Sequence, residues 1–190
     1  MRKLTYYVGV TLDGFIAGPG DEFDFLPIEP DVTAAMNAEQ PETVPGAFRE
    51  AVGVAGAPNK RFDTVVMGRG TYEPALKVGI TDPYPQLKTY VFSRTLPATD
   101  ERVTVVAQDP AAHVRELKHQ DGMDIWLCGG GRLAAVLRDE IDELVLKRYP
   151  LIIGSGRPLF DGPFHPDRFT QAQTRVFESG AVISRYVKAA

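Results

Sequence analysis

The stretch Asp124–Leu137, DIWLCGGGRLAAVL, places three consecutive glycines between an apolar run and a helix-like run. Ile125–Cys128 predicts a buried strand, and Arg132–Arg138 predicts a helix. Glycines at such a turn let the backbone approach a phosphate closely, and the first N–H groups of a helix attract anions. The sequence therefore favours an anion site at this turn over a tight bend that needs glycine for steric reasons alone.

The same glycines match the loose dinucleotide fingerprint Gly129-x-Gly131-x-x-Ala134, but their context argues against a Rossmann turn. A Rossmann turn closes the first strand of its unit, and an acidic residue about twenty positions later binds the ribose. Here at least four predicted strands precede the glycines, and the next strand ends in the basic stretch Lys147–Tyr149. We therefore interpret the match as fortuitous.

The rest of the chain predicts one α/β domain spanning residues 1–190. Strands alternate with short helices, which is typical of a mainly parallel sheet, and a closing antiparallel hairpin makes the sheet mixed. The predicted strands are Leu4–Val10, Thr64–Met67, Thr89–Ser93, Val103–Ala107, Ile125–Cys128 and Glu143–Arg148, and the hairpin joins Arg168–Glu178 to Ala181–Val187. The predicted helices are Val32–Glu39, Ala47–Ala55, Pro110–His119 and Arg132–Arg138.

Composition restricts the classes of function. A net charge of -4 argues against a nucleic-acid partner, which normally requires a basic face. The single cysteine, Cys128, allows no disulfide framework, and the three histidines do not cluster, so we expect no metal. No apolar stretch reaches membrane-spanning length, and the first residues lead into a strand rather than a signal peptide. We therefore expect a cytoplasmic protein without a membrane partner.

Two further strands end in residues suited to phosphate. Gly68–Glu73 follows one predicted strand and combines a backbone turn with a guanidinium and a hydroxyl. Ser93–Thr95 follows another and places two hydroxyls around a guanidinium. Ligands of open parallel sheets bind at the carboxyl ends of the strands. Three such ends together predict a dinucleotide that carries an extra ribose phosphate, NADPH rather than NADH.

Five motifs, spread over nearly the whole chain, carry a family resemblance. They are Val10–Gly18, Asp63–Glu73, Val91–Arg94, Cys128–Leu133, and Asp142–Leu144 followed by Pro150–Phe160. In this order they resemble the dihydrofolate reductase-like superfamily, most closely the C-terminal reductase domain of the bifunctional riboflavin-biosynthesis deaminase/reductase. The resemblance implies the three-layer dihydrofolate reductase-like fold, with a mixed, mainly parallel sheet and an antiparallel C-terminal hairpin.

The resemblance also implies a role for each matching residue. The residues expected at the cofactor phosphates are Gly68, Arg69 and Thr71, with Ser93 and Arg94 at the adenosine 2′-phosphate. The residues expected around the pyrophosphate are Gly129, Gly130, Gly131, Arg132 and Leu133. The residues expected to line the nicotinamide pocket are Gly9, Ile16, Ala17 and Cys128. The implied cofactor is therefore NADPH.

The implied activity is hydride transfer from NADPH to a pyrimidine- or pterin-like heterocycle. The best candidate is 5-amino-6-(5-phosphoribosylamino)uracil reduction, as in riboflavin biosynthesis. The alternatives are dihydrofolate reduction and a protein that binds NADPH or another ligand without turnover. The candidate proton sources are Asp13, Asp24, Glu29 and Asp31. Asp31 stands at the place where folate reductases carry a carboxylate, although it could simply cap a helix. Lys147 replaces a threonine of folate reductases, which suits either an anionic substrate or a surface position.

The C-terminal strands predict how the chain associates. Their apolar residues are Phe169, Val176, Phe177, Ile183 and Tyr186. Sheet edges that expose apolar residues are usually covered, so we expect a homodimer, with burial in the chain's own core as the alternative.

Overall fold

The computed structural model describes residues 1–189, whose elements alternate between strand and helix. The strands are β1 (Leu4–Val10), β2 (Phe15–Ala17), β3 (Phe62–Gly68), β4 (Lys88–Phe92), β5 (Val103–Val106), β6 (Asp124–Gly129), β7 (Ile141–Arg148), β8 (Arg157–Pro158), β9 (Phe169–Val176) and β10 (Val182–Lys188). The helices are α1 (Pro30–Glu39), α2 (Arg69–Lys77), α3 (Pro110–His119) and α4 (Gly131–Val136). None of the helices within residues 1–189 is long and apolar enough to cross a bilayer.

Eight strands form one sheet in the order β5-β4-β3-β6-β1-β7-β10-β9. The first six in this order run parallel, whereas β10 runs antiparallel to β7 and β9 antiparallel to β10. The predicted mixed sheet with an antiparallel C-terminal hairpin is therefore confirmed. The glycine run follows the sixth strand of the chain, so it does not close the first strand of a Rossmann unit. All the parallel strands present their carboxyl ends at one edge of the sheet.

Helices cover both faces of the sheet and produce three layers. Tyr6 and Tyr7 are consecutive on β1, point to opposite faces and are both buried. Tyr6 shares a core with Val114 of α3 and the buried residues of α4, whereas Tyr7 shares a core with Tyr72 of α2. A sheet that is buried on both faces needs apolar residues at successive positions, which explains the continuous apolar runs of its strands.

A buried ionic cluster closes the edge of the sheet at the amino ends of the parallel strands. The Glu143 carboxylate lies 2.8 Å from Lys3 Nζ, 2.6 Å from Arg61 Nη2 and 3.4 Å from Arg185 Nη1. Burial by itself would raise the pKa of Glu143, but the hydrogen bonds and charges of Lys3 and Arg61 hold it below its ordinary value. This cluster is structural, and it lies at the end of the strands opposite the one where ligands of parallel sheets bind.

One prediction about local structure was wrong, and one short element was not predicted. The segment 47–55 was predicted as a helix, but only Gly46–Phe48 forms a single 3-10 turn. The Arg49 guanidinium donates to the carbonyls of Pro41 and Ala57, at 2.6 and 3.1 Å, and these contacts hold both flanks as loops. The short antiparallel ribbon of β2 and β8 was not predicted, because each strand is two or three residues long.

The hairpin buries most of its apolar residues within the chain. Phe177 is buried, and Phe169, Ile183 and Tyr186 pack against the hydrophobic cores. Only Val176 remains largely exposed, at 72%, and the outer strand β9 carries mostly polar side chains. These side chains therefore do not form the apolar edge expected from the sequence. The homodimer stays a prediction.

Candidate active site

A cleft of about 1300 Å³ opens at the carboxyl ends of β3, β4 and β6. Gly68, Ser93 and Gly129, each at or just after the end of one of these strands, all line it. Pockets for a single small ligand usually enclose about 300–1000 Å³. The cleft is therefore large enough for a dinucleotide together with part or all of a second molecule.

The structure brings together every predicted cofactor residue except Gly9. The lining residues that were predicted are Ile16, Ala17, Gly68, Arg69, Thr71, Ser93, Arg94, Cys128, Gly129, Gly130, Gly131, Arg132 and Leu133. Gly9 lies elsewhere on β1, where a methyl group on its Cα would meet Leu26 and Tyr149 at 3.2 and 3.3 Å. It leaves room for these two side chains rather than lining the cleft.

Close packing explains part of the glycine run. The peptide bond between Gly129 and Gly130 is cis, and Gly129 has a φ of 149°. A methyl group on Gly129 would lie 3.3 Å from Thr71 Oγ1, and one on Gly131 would lie 2.2 Å from the Pro158 carbonyl oxygen. The turn thus brings α4 against residues 158–161 and keeps the backbone of residues 129–131 open to the cleft. The steric and the anion-binding interpretations of this turn are compatible.

The arginines that line the cleft differ in their partners. Within the residues described, Arg94 is exposed and has no carboxylate within ion-pair distance, in contrast to the others. The paired guanidinium groups are those of Arg69 with Glu73 at 2.6 Å, Arg132 with Asp161 at 3.1 Å and Arg157 with Asp21 at 2.6 Å. Arg94 is therefore the cleft arginine whose charge is available to an anionic group of a ligand.

The loop that carries Arg94 is held by Ser93. The Ser93 hydroxyl oxygen accepts hydrogen bonds from the backbone N–H groups of Thr95 and Leu96, at 3.2 and 3.0 Å. Its own proton remains free to be donated. Ser93 therefore fixes the turn and offers a donor next to the unpaired guanidinium, an arrangement that suits a phosphate.

The centre of the cleft is electrically neutral around pH 7. Cys128 Sγ lies 3.9 Å from the Tyr84 hydroxyl, and both side chains line the cleft. Burial raises the pKa of the Cys128 thiol to about 11 and holds the pKa of Tyr84 well above its usual range. A protonated thiol is a poor nucleophile, so Cys128 serves as part of the wall.

Asp31, one of the predicted proton sources, lies outside the cleft. Its carboxylate accepts hydrogen bonds from the backbone N–H groups of Ser179, at 3.1 Å, and Val32, at 2.8 Å, and these bonds lower its pKa. It thereby links the start of α1 to the turn between β9 and β10. The carboxylates that do line the cleft are engaged as well: Asp21 and Asp161 pair with arginines, and Asp109 caps α3. Asp31 thus meets none of the other predicted site residues.

Lys147 occupies neither of the positions predicted for it. Its Nζ lies 4.6 Å from the centroid of the Tyr7 ring, and Lys147 is not among the residues that line the cleft. Burial lowers the pKa of this amine to about 8. The side chain is half-buried, so it is not a surface lysine, and its charge faces an aromatic ring.

Replacement of Lys147 by methionine is expected to stabilise the protein at pH 7 by about 1–2 kcal/mol. The pKa is lower in the folded chain than its ordinary 10.5, so folding disfavours the charged amine. This penalty is fully present below pH 8 and disappears as the pH rises towards 10.5. Urea unfolding of Lys147→Met and wild type at pH 7 and about pH 9.5 should show the difference shrinking by about half. A less stable variant, or a difference independent of pH, would contradict the buried position.

Apolar side chains that the sequence analysis missed form one part of the wall. Phe23, Phe48 and Val78 are each more than half exposed, at 55, 60 and 72%, and all three line the cleft. Ile80 and Tyr84 continue the same surface. Exposed apolar clusters of this kind mark binding sites. Phe23 and Phe48, isolated among acidic and proline-rich loop residues, were the available signal in the sequence.

A family model described as the RibD C-terminal domain matches residues 2–183. The chain belongs to the RibD C-terminal domain family. This confirms the resemblance drawn from the five motifs. Within the described part of this RibD C-terminal domain, no group of three His, Cys, Asp or Glu side chains is placed to hold a metal ion.

Two proteins of Bacillus subtilis strain 168 are similar over nearly the whole chain. The uncharacterized protein YwjB is 31% identical over 193 aligned positions, covering 99% of both chains. The uncharacterized protein YyaP is 27% identical over 194 positions, covering 95% of this RibD C-terminal domain and 92% of YyaP.

Solved structures share the fold. A putative riboflavin biosynthesis protein from Shewanella sp. PV-4 superimposes with a TM-score of 0.72, at 23% identity and with both chains fully covered. A diaminohydroxyphosphoribosylaminopyrimidine deaminase/5-amino-6-(5-phosphoribosylamino)uracil reductase from Thermotoga maritima gives a TM-score of 0.65 at 14% identity. This comparison covers 99% of the present chain and 57% of the T. maritima protein. The dihydrofolate reductase-like fold expected from the sequence is thereby confirmed.

Proposed function

We propose that this protein is a reductase that transfers a hydride from NADPH to a substrate that carries a planar heterocycle. The observation that carries the proposal is the convergence of three strand ends on one cleft, in which the Arg94 guanidinium has no acidic partner among residues 1–189. Membership of the RibD C-terminal domain family supports a reductase, as does the name of the T. maritima protein, whose fold the chain shares. The size of the cleft supports two ligands bound side by side.

The lining residues fit the parts of such a cofactor. Arg94 and Ser93 would hold the ribose phosphate, Gly68–Thr71 and Gly129–Leu133 the pyrophosphate, and Ile16, Ala17 and Cys128 the nicotinamide. The cofactor would supply the hydride itself. The chain then has to bind the cofactor, orient its nicotinamide and exclude water. A cleft centre formed by the protonated side chains of Cys128 and Tyr84 suits this role.

Dihydrofolate reduction has less support than reduction of another heterocycle. Folate reductases place a carboxylate next to the pterin, and the candidate here, Asp31, bonds Ser179 and Val32 outside the cleft. The acids of the cleft are committed to arginines or to a helix cap. Binding of NADPH without turnover is the third alternative, and it predicts cofactor affinity with no oxidation.

One assay separates these functions. NADPH binding is measured first, by the change in nicotinamide fluorescence on titration with protein. NADPH oxidation is then followed with 5-amino-6-(5-phosphoribosylamino)uracil, with its dephosphorylated form, and with dihydrofolate. Oxidation with either uracil compound but not with dihydrofolate is the expected result. Failure to bind NADPH would overturn the proposal, and binding without oxidation of any acceptor would favour the third alternative.

A further inference from the structure

The cleft has two chemically different halves. The cofactor half, around residues 68–71, 93–94 and 129–133, contains Arg69, Arg94 and Arg132. The other half is formed by segment 45–48, by the end of α2 with the turn that follows it, and by residues 83–84, with Phe23 also contributing. Within the described residues, these segments contribute no charged side chain to the lining of that half. We call this second surface the acceptor half.

Contacts place the acceptor half directly next to the expected nicotinamide position. The Tyr84 hydroxyl lies 3.9 Å from Cys128 Sγ, at the end of the strand that leads into the glycine turn. Segment 45–48 is fixed to this wall by a hydrogen bond from the Gly46 N–H to the Pro83 carbonyl, at 2.8 Å. A molecule in the acceptor half would therefore lie within reach of a hydride donor bound against Cys128 and Gly129.

Within the described residues, the segments that form the acceptor half offer a charged ligand no charged partner. Its surface is built from Phe23, Phe48, Ala75, Val78, Ile80 and Tyr84. The thiol of Cys128 and the phenol of Tyr84 are protonated at neutral pH, because burial raises the pKa of both. Arg157 and Asp21, which also line the cleft, pair with each other, and the amine of Lys147 faces the Tyr7 ring. An anion buried against this surface would lose its hydration without compensation.

We infer that the acceptor half takes an uncharged, largely apolar planar heterocycle rather than a phosphate ester. The inference rests on the proposed reductase function for its biological meaning, since it names the class of hydride acceptor. It assigns the three exposed side chains Phe23, Phe48 and Val78 to the faces and edges of that ring. The phosphate-binding capacity of the protein is thereby confined to the cofactor half.

The test compares two bicyclic probes that differ in one substituent, methylquinoxaline and quinoxaline carboxylate. Each is titrated calorimetrically into protein saturated with NADP⁺, which fills the cofactor half. Methylquinoxaline is expected to bind at least about tenfold more tightly than the carboxylate, because only the carboxylate pays a desolvation cost. Equal or tighter binding of the carboxylate, or no binding of methylquinoxaline, would overturn the inference.

Val78→Lys provides the decisive variant, with Val78→Met as its matched control. Val78 is 72% exposed at the carboxyl end of α2, where a lysine is compatible with the helix. Val78→Lys should improve binding of the carboxylate about tenfold and weaken that of methylquinoxaline, whereas Val78→Met should keep the wild-type preference. An unchanged preference in Val78→Lys would place the probes outside the acceptor half and overturn the inference.

The outcome for the acceptor half is separable from the outcome for the proposed function. NADPH affinity is measured before any probe is added. Protein that does not bind NADPH but still prefers methylquinoxaline would overturn the reductase and retain the apolar site. Protein that binds NADPH and oxidises it only with the phosphorylated acceptor would retain the reductase and overturn the apolar site.

Discussion

Arg94→Ala is expected to weaken NADPH binding by about a hundredfold while changing NADH binding by no more than about threefold. Within the residues described, Arg94 is the cleft arginine without a carboxylate partner, whereas Arg69 is held by Glu73 at 2.6 Å and by Thr95 at 2.9 Å. Charge-assisted hydrogen bonds to a phosphate contribute about 1.5–3 kcal/mol. Their loss affects NADPH alone, because NADH lacks the ribose phosphate.

Two further variants test whether the effect belongs to that phosphate. Arg132→Ala should weaken NADPH and NADH alike, since Arg132 lies at the glycine turn expected to bind the pyrophosphate common to both cofactors. Arg94→Lys should give an intermediate NADPH affinity, because lysine keeps the positive charge but lacks the planar guanidinium that donates two parallel hydrogen bonds. Fluorescence titration of each protein with NADPH and with NADH provides these affinities. Wild-type protein that binds NADH as tightly as NADPH would refute the assignment of Arg94.

The parts of the molecule that the sequence predicted are those determined locally. Continuous apolar runs specify strands buried on both faces, and the carboxyl ends of parallel strands share an edge in any open sheet. These two rules are sufficient to predict that Gly68, Ser93 and Gly129 lie close together, without knowledge of the sheet topology. The order of the strands was not needed, because only the direction of each strand determines at which edge it ends.

The parts that the sequence did not predict depend on distant contacts. Asp31 is removed from the cleft by a hydrogen bond from Ser179, which lies 148 positions further along the chain. Arg49 turns a segment of good helix formers into a loop by bonding Pro41 and Ala57. The amine of half-buried Lys147 faces the ring of Tyr7 on the neighbouring strand. In each case one long-range contact overrides the local preference.

The acceptor half illustrates the same limit at the level of function. Its wall is assembled from residues 23, 48, 78 and 84, and none of these belongs to one of the five motifs. The five motifs carry the residues proposed to bind the cofactor. The proposed acceptor surface lies on connecting segments, which are more variable than the elements they connect. Resemblance therefore predicts the cofactor side of the proposed site better than its acceptor side.

Gly131→Ala is expected to destabilise the protein by about 3 kcal/mol or more. A methyl group at this position would lie 2.2 Å from the Pro158 carbonyl oxygen and 3.3 Å from the Asp161 nitrogen. Both are backbone atoms that cannot rotate away, and the Asp161 N–H already bonds the Gly131 carbonyl at 3.0 Å. The variant must therefore push α4 away from residues 158–161, losing contacts on both sides.

The matched control for Gly131→Ala is Gly70→Ala in α2, where a methyl group would meet no atom of residues 1–189 within 4 Å. Alanine favours a helix by about 1 kcal/mol over glycine, so this control should be as stable as the wild type or slightly more stable. Urea unfolding gives both differences, and NADPH titration of the Gly131→Ala protein that remains folded should show weakened binding. Displacement of α4 carries Arg132 away from Asp161 and opens the turn against which the pyrophosphate would lie. A Gly131→Ala protein of wild-type stability would mean that α4 can move without cost, and the glycine would then serve the ligand alone.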